Sequence, residues 1–239
     1  MRKTGFVATR SPPARRPPVR FTLPDGTTES VTVHTLLNAG YAGRSQDEVA
    51  AHVAELAELG VPAPSVTPAL YPVSPYLAAQ TREVPVQHDR TSGEAEWALV
   101  ISSTGEVLLT AACDHTDREL EVHGVAWSKN AAYDVLAEQA WRLADVEDRL
   151  DSLTLRAWAD DELIQDGTLA DLLTPRYWLD LLRERGLAEP GTVLLSGTIP
   201  MRPGVDQFAG HWRVALGDPA TQNTIELGYR TRRLPDPIG

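Results

Sequence analysis

The sequence is short of cysteine, of lysine and of long apolar runs, and each shortage excludes something. Cys113 is the one cysteine among 239 residues, so no internal disulfide can form and a reducing, cytoplasmic setting is expected. No apolar stretch approaches the roughly 18 to 20 residues that a membrane-crossing helix requires. The opening "MRKTGFVATRSPPARRPPVR" has basic residues but no apolar segment, which argues against a secretory signal. Positive charge is scarce overall, with 22 Lys and Arg against 33 Asp and Glu and a net charge of -11. That balance disfavours nucleic acid as the main partner, because phosphate binding needs a basic surface. Lysine occurs only at Lys3 and Lys129 while arginine is plentiful, which singles out Lys129.

What is present reads as a mostly β chain with peripheral helices. Residues 1–20, rich in Pro and Arg, are expected to form a flexible leader in which Arg15, Arg16 and Arg20 are solvated. Residues 21–76 read as a small N-terminal unit of hairpin, helix and loop, and residues 77–239 as a β-rich domain. "VRFTLPDGTTESVTV" alternates around Pro24-Asp25-Gly26, a hairpin signal. "RSQDEVAAHVAELAELG" predicts a helix, with Ser45 and Glu48 as a capping box, Val49, Val53 and Leu56 as its apolar stripe and Gly60 at its end. "EVPVQ", "EAEWALVIS" and "EVLLTAACD" predict strands, the last two joined at Ser103-Thr104-Gly105. Residues 130–146 read as a helix with Leu136, Ala140 and Leu143 on one side. "LTLRAWADDELIQDG" predicts a hairpin, "TPRYWLDLLRERG" a short helix, and "TVLLSGTIP", "HWRVALGD" and "TIELGYRTRR" three further strands. Trp97, Trp141 and Trp158 fall in apolar segments and are assigned to the core.

Alternation sends residues two apart to one face of a strand, so Glu94 and Glu96 point together while Ala95, Trp97 and Leu99 fill the other side. Two like charges so placed disfavour joint ionisation unless solvent or a cation relieves them. A solvated sheet face is one reading. The other takes in "TAACDHTDRELE", where Asp114 follows an apolar run at the expected end of the neighbouring strand. Three carboxylates would make an all-oxygen site suited to one Mg²⁺ or Mn²⁺, and zinc fits poorly without a Cys or His pair at ligand spacing. Cys113 reads as a small buried residue and His115 as either structural or supporting to a metal. His34, His88, His123 and His211 have no partner that spacing identifies.

The segments "SGEAEW", "CDHTDRE", "SKN" and "LLSGTIP", in that order, resemble the fumarylacetoacetate hydrolase superfamily, in the manner of a poorly characterised bacterial subfamily. That family carries an E-x-E pair, a D-x-[ST]-x-R-[DE] segment, a following lysine and a late G-T-x-P strand end. The resemblance spans roughly residues 45 to 230 and implies a mixed β-roll or barrel, a homodimer, and an oxo-acid substrate. It implies Glu94, Glu96 and Asp114 as metal ligands, Lys129 as the active-site lysine, and Arg118 and Thr198 as substrate-binding residues. Pro200 is followed by Met201 where the family's motif continues with glycine.

The capped helix places His52 and Glu55 three apart on one face. They read as an ordinary solvated pair or as a dyad in which Glu55 orients His52 to take a proton from water. The family's smaller members carry such an H-x-x-E pair on a short helix over the metal, preceded by Asn-Tyr, for which Glu48 and Val49 stand here. The resemblance implies hydrolysis of a C–C bond in an acylpyruvate-like or β-diketo acid through a metal-stabilised enolate. A decarboxylase, an isomerase, or a silent oxo-acid-binding protein are the alternatives.

Overall fold

The computed structural model describes residues 17–58, 64 and 66–238. In chain order the strands and helices are β1 (Val19–Thr22), β2 (Thr28–Val31), β3 (Thr35–Gly40), α1 (Gln46–Glu58), β4 (Ala69–Val73), β5 (Ala78–Ala79) and β6 (Glu83–Val86). The long pair β7 (Thr91–Ile101) and β8 (Val107–Asp117) follows, then α2 (Arg118–Glu121), α3 (Val125–Lys129), β9 (Asp134–Leu136) and β10 (Trp141–Arg142). The chain ends with β11 (Thr154–Ala159), β12 (Glu162–Thr168), α4 (Pro175–Glu184), β13 (Thr192–Leu195), β14 (His211–Asp218) and β15 (Asn223–Arg233).

Three sheets result. The β1–β2 hairpin stands alone, the main sheet runs β4-β3-β13-β7-β8-β9-β5 with β10 beside β8, and a second sheet runs β12-β11-β14-β15-β6. Alternation along β7 and β8 explains why the main sheet is apolar on both faces. Trp97, Leu99, Leu109 and Ala111 pack with Leu155, Val214, Leu216 and Tyr229 of the second sheet. Ala98, Val100, Leu108 and Ala112 face the other way and form a second core with Leu36, Leu136, Val193 and Leu195. Burying both faces accounts for the near-continuous apolar runs in these strands.

The main sheet is curled. In its order β3 and β9 are four positions apart, about 19 Å in a flat sheet at about 4.8 Å per step. Yet the side chain of Asn38 on β3 donates to Asp134 Oδ1 on β9 at 3.0 Å. The hydrogen bond crosses the hollow of a half-barrel, and the second core fills that hollow below it.

Two expectations are corrected. Residues 130–146 are not a helix: they form β9, β10 and short turns. Leu136, Ala140 and Leu143 are all buried, but β9 gains its hydrogen bonds from β8, pairing Ala112 with Leu136 and Asp114 with Asp134. Tertiary pairing overrode the helical spacing of Leu136, Ala140 and Leu143. Asp114 is not at the end of its strand, because β8 continues to Asp117. The hairpin at Pro24, the tip at Gly105 and helices α1 and α4 lie where expected. The leader up to residue 16 lies outside the described residues. Trp97 and Trp141 are buried, whereas Trp158 is half-buried with the Arg213 guanidinium 3.6 Å above its ring.

Candidate metal centre

Strand register builds the centre. Glu94 of β7 lies directly opposite Asp114 of β8, and Asp114 lies directly opposite Asp134 of β9. Three carboxylates therefore share one rung, with Glu96 one step deeper on β7. Glu96, Asp114 and Asp134 are fully buried, which rules out the solvated-face reading of the Glu pair. Like charges directly opposite each other across strands are destabilising, so such a rung needs compensation.

Part of that compensation is Lys129. Its ammonium is buried and ion-paired with Asp114 Oδ2, and it donates to Glu94 Oε2 at 3.3 Å. Helix α3 carries it, and Asn130 fixes the helix end by donating to Ala126 O at 2.9 Å and accepting from Ser74 N at 2.9 Å. Arg118 supplies a second part, at Glu94. Asp117 ends β8 and caps α2, its Oδ1 accepting from Glu119 N and Leu120 N, both at 3.0 Å. From this first helical position Arg118 Nε donates to Ser92 Oγ at 2.6 Å, Nη2 to Glu94 Oε1 at 2.8 Å and Nη1 to Glu121 Oε2 at 2.9 Å. Ser92 Oγ in turn donates to Gln207 Oε1 at 3.1 Å.

Charges follow from these placements. Burial pushes the Glu94 carboxyl up, but Lys129 and Arg118 outweigh it and bring it down to about 2. Burial drives Glu96 well above the usual carboxylate range, with the charges of Asp114 and Glu94 adding to the rise. Asp134 is raised in the same way, by burial first and then by Asp114. Burial would lower Lys129, but its three carboxylate neighbours raise it well above the ordinary lysine value, so it stays charged.

The donor set fits a hard dication. Oxygen atoms of Glu94, Glu96 and Asp114 lie within 4.8 Å of one another, close enough to share one ion. Among the described residues, Glu96 Oε1 and Asp114 Oδ1 are buried with no hydrogen-bond donor, as is Asp134 Oδ2 beside them, a condition that costs free energy and that a cation would relieve. The other Glu96 oxygen, Oε2, accepts from Gly197 N at 2.8 Å. Gly197 has φ +80°, and a Cβ there would stand 2.9 Å from Ala42 Cβ and 3.2 Å from Ala39 O. The "SGTIP" turn thus needs glycine to aim its amide at Glu96.

The remaining candidates fall as follows. Thr198 Oγ1 donates to Ala95 O at 2.9 Å and accepts from Gln165 Nε2 at 2.8 Å, so it ties the turn to β7. Helix α1 carries His52 and Glu55, whose side chains lie outside the described residues. On the opposite face of β8, His115 Nδ1 meets Tyr229 Oη at 2.9 Å and Nε2 meets Thr91 Oγ1 at 2.9 Å, while Cys113 Sγ lies 3.2 Å from the same Tyr229. Burial, reinforced by Arg118, drops the His115 pKa to about 3, so the ring is neutral and links the two sheets.

Asn38, Ser92, Glu121, Asp134 and Gln207 escaped the sequence reading. Asp134 lies in "YDVL", inside the stretch read as a helix, and joins the centre only through the pairing of β9 with β8. Glu121 stands at the helical i,i+3 spacing from Arg118, a pattern that was readable, while Asn38, Ser92 and Gln207 are partners in space with no local pattern.

A curled main sheet packed on a second sheet, with acidic residues on its concave face, is the fumarylacetoacetate hydrolase-like fold. A candidate fumarylpyruvate hydrolase from Burkholderia cenocepacia is similar over 97% of this chain and 100% of its own, with TM-score 0.62 at 14% identity. A candidate fumarylacetoacetate hydrolase family protein from Yersinia pestis CO92 is similar over 90% of this chain and 99% of its own, with TM-score 0.57 at 18% identity. The maleylpyruvate hydrolase of Sphingobium sp. SYK-6, solved with manganese(II) and pyruvate, is similar over 87% of this chain and 74% of its own, with TM-score 0.56 at 15% identity. The chain itself belongs to the family described as protein of unknown function (DUF2848), whose model matches residues 39–229. No curated protein matches it. No helix among the described residues is long and apolar enough to cross a membrane.

Proposed function

We propose that the protein is a metal-dependent hydrolase that cleaves a C–C bond in an acylpyruvate-like or β-diketo acid, with Mg²⁺ or Mn²⁺ held by Glu94, Glu96 and Asp114. The observation that carries this reading is the pair of buried, donorless oxygens on Glu96 and Asp114 within one carboxylate cluster. The fold is shared with a protein solved holding manganese(II) and pyruvate. When bound, a dication there supplies Lewis acidity toward two neighbouring substrate oxygens and stabilises the negative charge released by bond cleavage.

The chain's own residues do the rest. Lys129 keeps its proton and places a positive charge beside the ligand rung, where it can meet a substrate carboxylate or developing oxyanion. Arg118 serves the substrate through Glu94, fixing the orientation of that ligand with a 2.8 Å hydrogen bond. Thr198 holds the turn whose Gly197 amide orients Glu96. His52, with Glu55 beside it on α1, takes the proton from the attacking water. Residues 21–76 contribute this lid helix to a catalytic body formed by residues 77–239. We further assign the protein to the cytoplasm, as a homodimer.

Two measurements test the reading. Adding Mn²⁺ at a hundredfold excess over its Kd should stabilise the fold by about 2.7 kcal/mol, seen as a rise in Tm, and Glu96→Gln should remove that rise. Incubation of the Mn²⁺-loaded protein with acylpyruvates and with oxaloacetate, followed by product analysis, separates hydrolysis from decarboxylation. Loss of cleavage in His52→Ala with Mn²⁺ binding retained is expected. A protein whose Tm ignores Mn²⁺ and Mg²⁺ would refute the metal centre.

A further inference from the structure

Main-chain bonding along β7 changes character where the two glutamates stand. β13 accompanies β7 from Val100 to Ala98 and then leaves it, its chain running on into the turn of Ser196, Gly197 and Thr198. Ala95 lies between Glu94 and Glu96, and among the described residues no strand pairs with it on that edge. Buried backbone groups without partners cost free energy, so other groups must take the strand's place. Ser196 serves Trp97: its N donates to Trp97 O at 3.0 Å and its Oγ accepts from Trp97 N at 3.2 Å. Ala95 is served by two side chains.

One of them is Gln165, which reaches across from β12 of the second sheet and is fully buried. Its Oε1 accepts from Ala95 N at 2.9 Å, and its Nε2 donates to Thr198 Oγ1 at 2.8 Å and to Ile199 O at 2.6 Å. Thr198 Oγ1 then donates to Ala95 O at 2.9 Å. These bonds close a ring, from the Ala95 amide to the Gln165 oxygen, from the Gln165 nitrogen to the Thr198 hydroxyl, and from the hydroxyl back to the Ala95 carbonyl. The carboxamide can sit only one way round, because Ala95 N is a donor and Ile199 O an acceptor. Asparagine offers the same groups one methylene shorter, and an ionised glutamate lacks the donor.

We propose that Gln165 is a positioning residue of the metal centre: by standing in for the missing strand at Ala95, it sets the separation and direction of the Glu94 and Glu96 carboxylates. The inference rests on the metal-dependent reading above. The two glutamates project from the peptide units that flank Ala95, so a ring that fixes both polar groups of Ala95 fixes the backbone from which they point. The same ring grips the turn. Thr198 follows Gly197, whose amide donates to Glu96 Oε2 at 2.8 Å, so Gln165 governs Glu96 from its own backbone and from the group that orients its carboxylate.

The test measures Mn²⁺ affinity by calorimetry and the electron paramagnetic resonance spectrum of the bound ion, whose zero-field splitting reports the symmetry of its ligands; urea unfolding confirms that each variant is folded. Gln165→Met keeps the length of the side chain without its N–H donors. It should bind Mn²⁺ about tenfold to a hundredfold more weakly, the range for losing a group that orients a metal ligand, with an altered splitting. Thr198→Val opens the same ring from the turn and should act in the same direction, which answers the question if the methionine variant does not fold. Thr198→Ser retains the hydroxyl and should restore the wild-type affinity and spectrum. Thr192→Val, at the opposite end of β13, loses a bond from Thr192 Oγ1 to Leu187 O at 2.8 Å and should lower stability with Mn²⁺ affinity and spectrum unchanged. Wild-type affinity and spectrum in every ring variant that folds, an equal change in Thr192→Val, or a Thr198→Ser protein that behaves like Thr198→Val would overturn the positioning role while leaving the metal-dependent reading intact. A wild-type protein that does not bind Mn²⁺ would overturn that reading and this inference with it.

Discussion

Gly197 shows how much one residue can decide. Its amide donates to Glu96 Oε2, leaving Oε1 free for a cation. Its φ of +80° is strained for any side chain, and a Cβ would press on Ala42 and on the carbonyl of Ala39. Gly197→Ala should therefore lower stability by about 1 to 3 kcal/mol and also weaken Mn²⁺ binding, because the turn must shift away from Glu96. Urea unfolding and Mn²⁺ titration check the two effects. A variant that loses stability but binds Mn²⁺ like the wild type would show that the amide does not orient the ligand. At this scale the sequence was informative where chemistry is carried by order and spacing: Glu94, Glu96, Asp114 and Lys129 converge as the motifs implied. It was silent on Asn38, whose partner lies 96 positions away and leaves no local pattern, and Glu121, at a readable i,i+3 spacing from Arg118, gained meaning only once Arg118 was seen to reach Glu94.

Elements were legible where their periodicity matched their final partners. The β7–β8 hairpin shows as two long apolar runs closed by Gly105, and α4 has a clear apolar face, so both could be read directly. The 130–146 stretch could not, since β9 is three residues long and takes its identity from lying beside β8 rather than from propensity. Short pieces of this kind are held by side chains at their ends, and Asp218 is an instance that carries a pH signature. At the end of β14 it accepts from Arg149 Nε at 3.0 Å, Ala220 N at 3.0 Å and Thr221 Oγ1 at 2.9 Å. The Arg149 bond joins the β14–β15 turn to the helical turn at Glu147–Ser152. Burial alone would raise the Asp218 pKa, but the hydroxyl of Thr221 and the guanidinium of Arg149 outweigh it, so the folded value lies below the usual carboxylate value. A depressed carboxyl adds stability that is present above its unfolded pKa, near 4, and is lost as pH falls through the folded value. Asp218→Asn should thus be about 2 kcal/mol less stable than wild type at pH 7, with the gap narrowing as pH drops below about 4. Parallel unfolding curves at pH 7 and pH 3.5 measure this, and a gap independent of pH would contradict the assignment.

At the scale of the whole molecule, the curled sheet needs something to hold the segment after β3 against the far side of the chain. Arg44 does this. Its Nε donates to Leu172 O at 2.9 Å, Nη1 and Nη2 form a bidentate pair with Asp151 at 2.8 and 2.7 Å, and Nη2 also donates to Leu169 O at 2.9 Å. Backbone bonds run alongside, from Arg44 N to Asp171 O at 2.9 Å and from Leu173 N to Ala42 O at 2.8 Å. The tie joins residues more than a hundred positions apart. A lysine keeps the charge but cannot reproduce a planar fork serving three acceptors. Arg44→Lys should therefore lose about 1 to 3 kcal/mol of stability, the range for leaving acceptors without their charged donor. Arg44→Lys combined with Asp151→Asn should lose less than the sum of the two, because both remove one interaction. Equilibrium unfolding of the four proteins in the cycle gives the coupling directly, and strict additivity would mean that the bidentate pair, for all its geometry, contributes nothing and that the backbone bonds alone hold the segment in place.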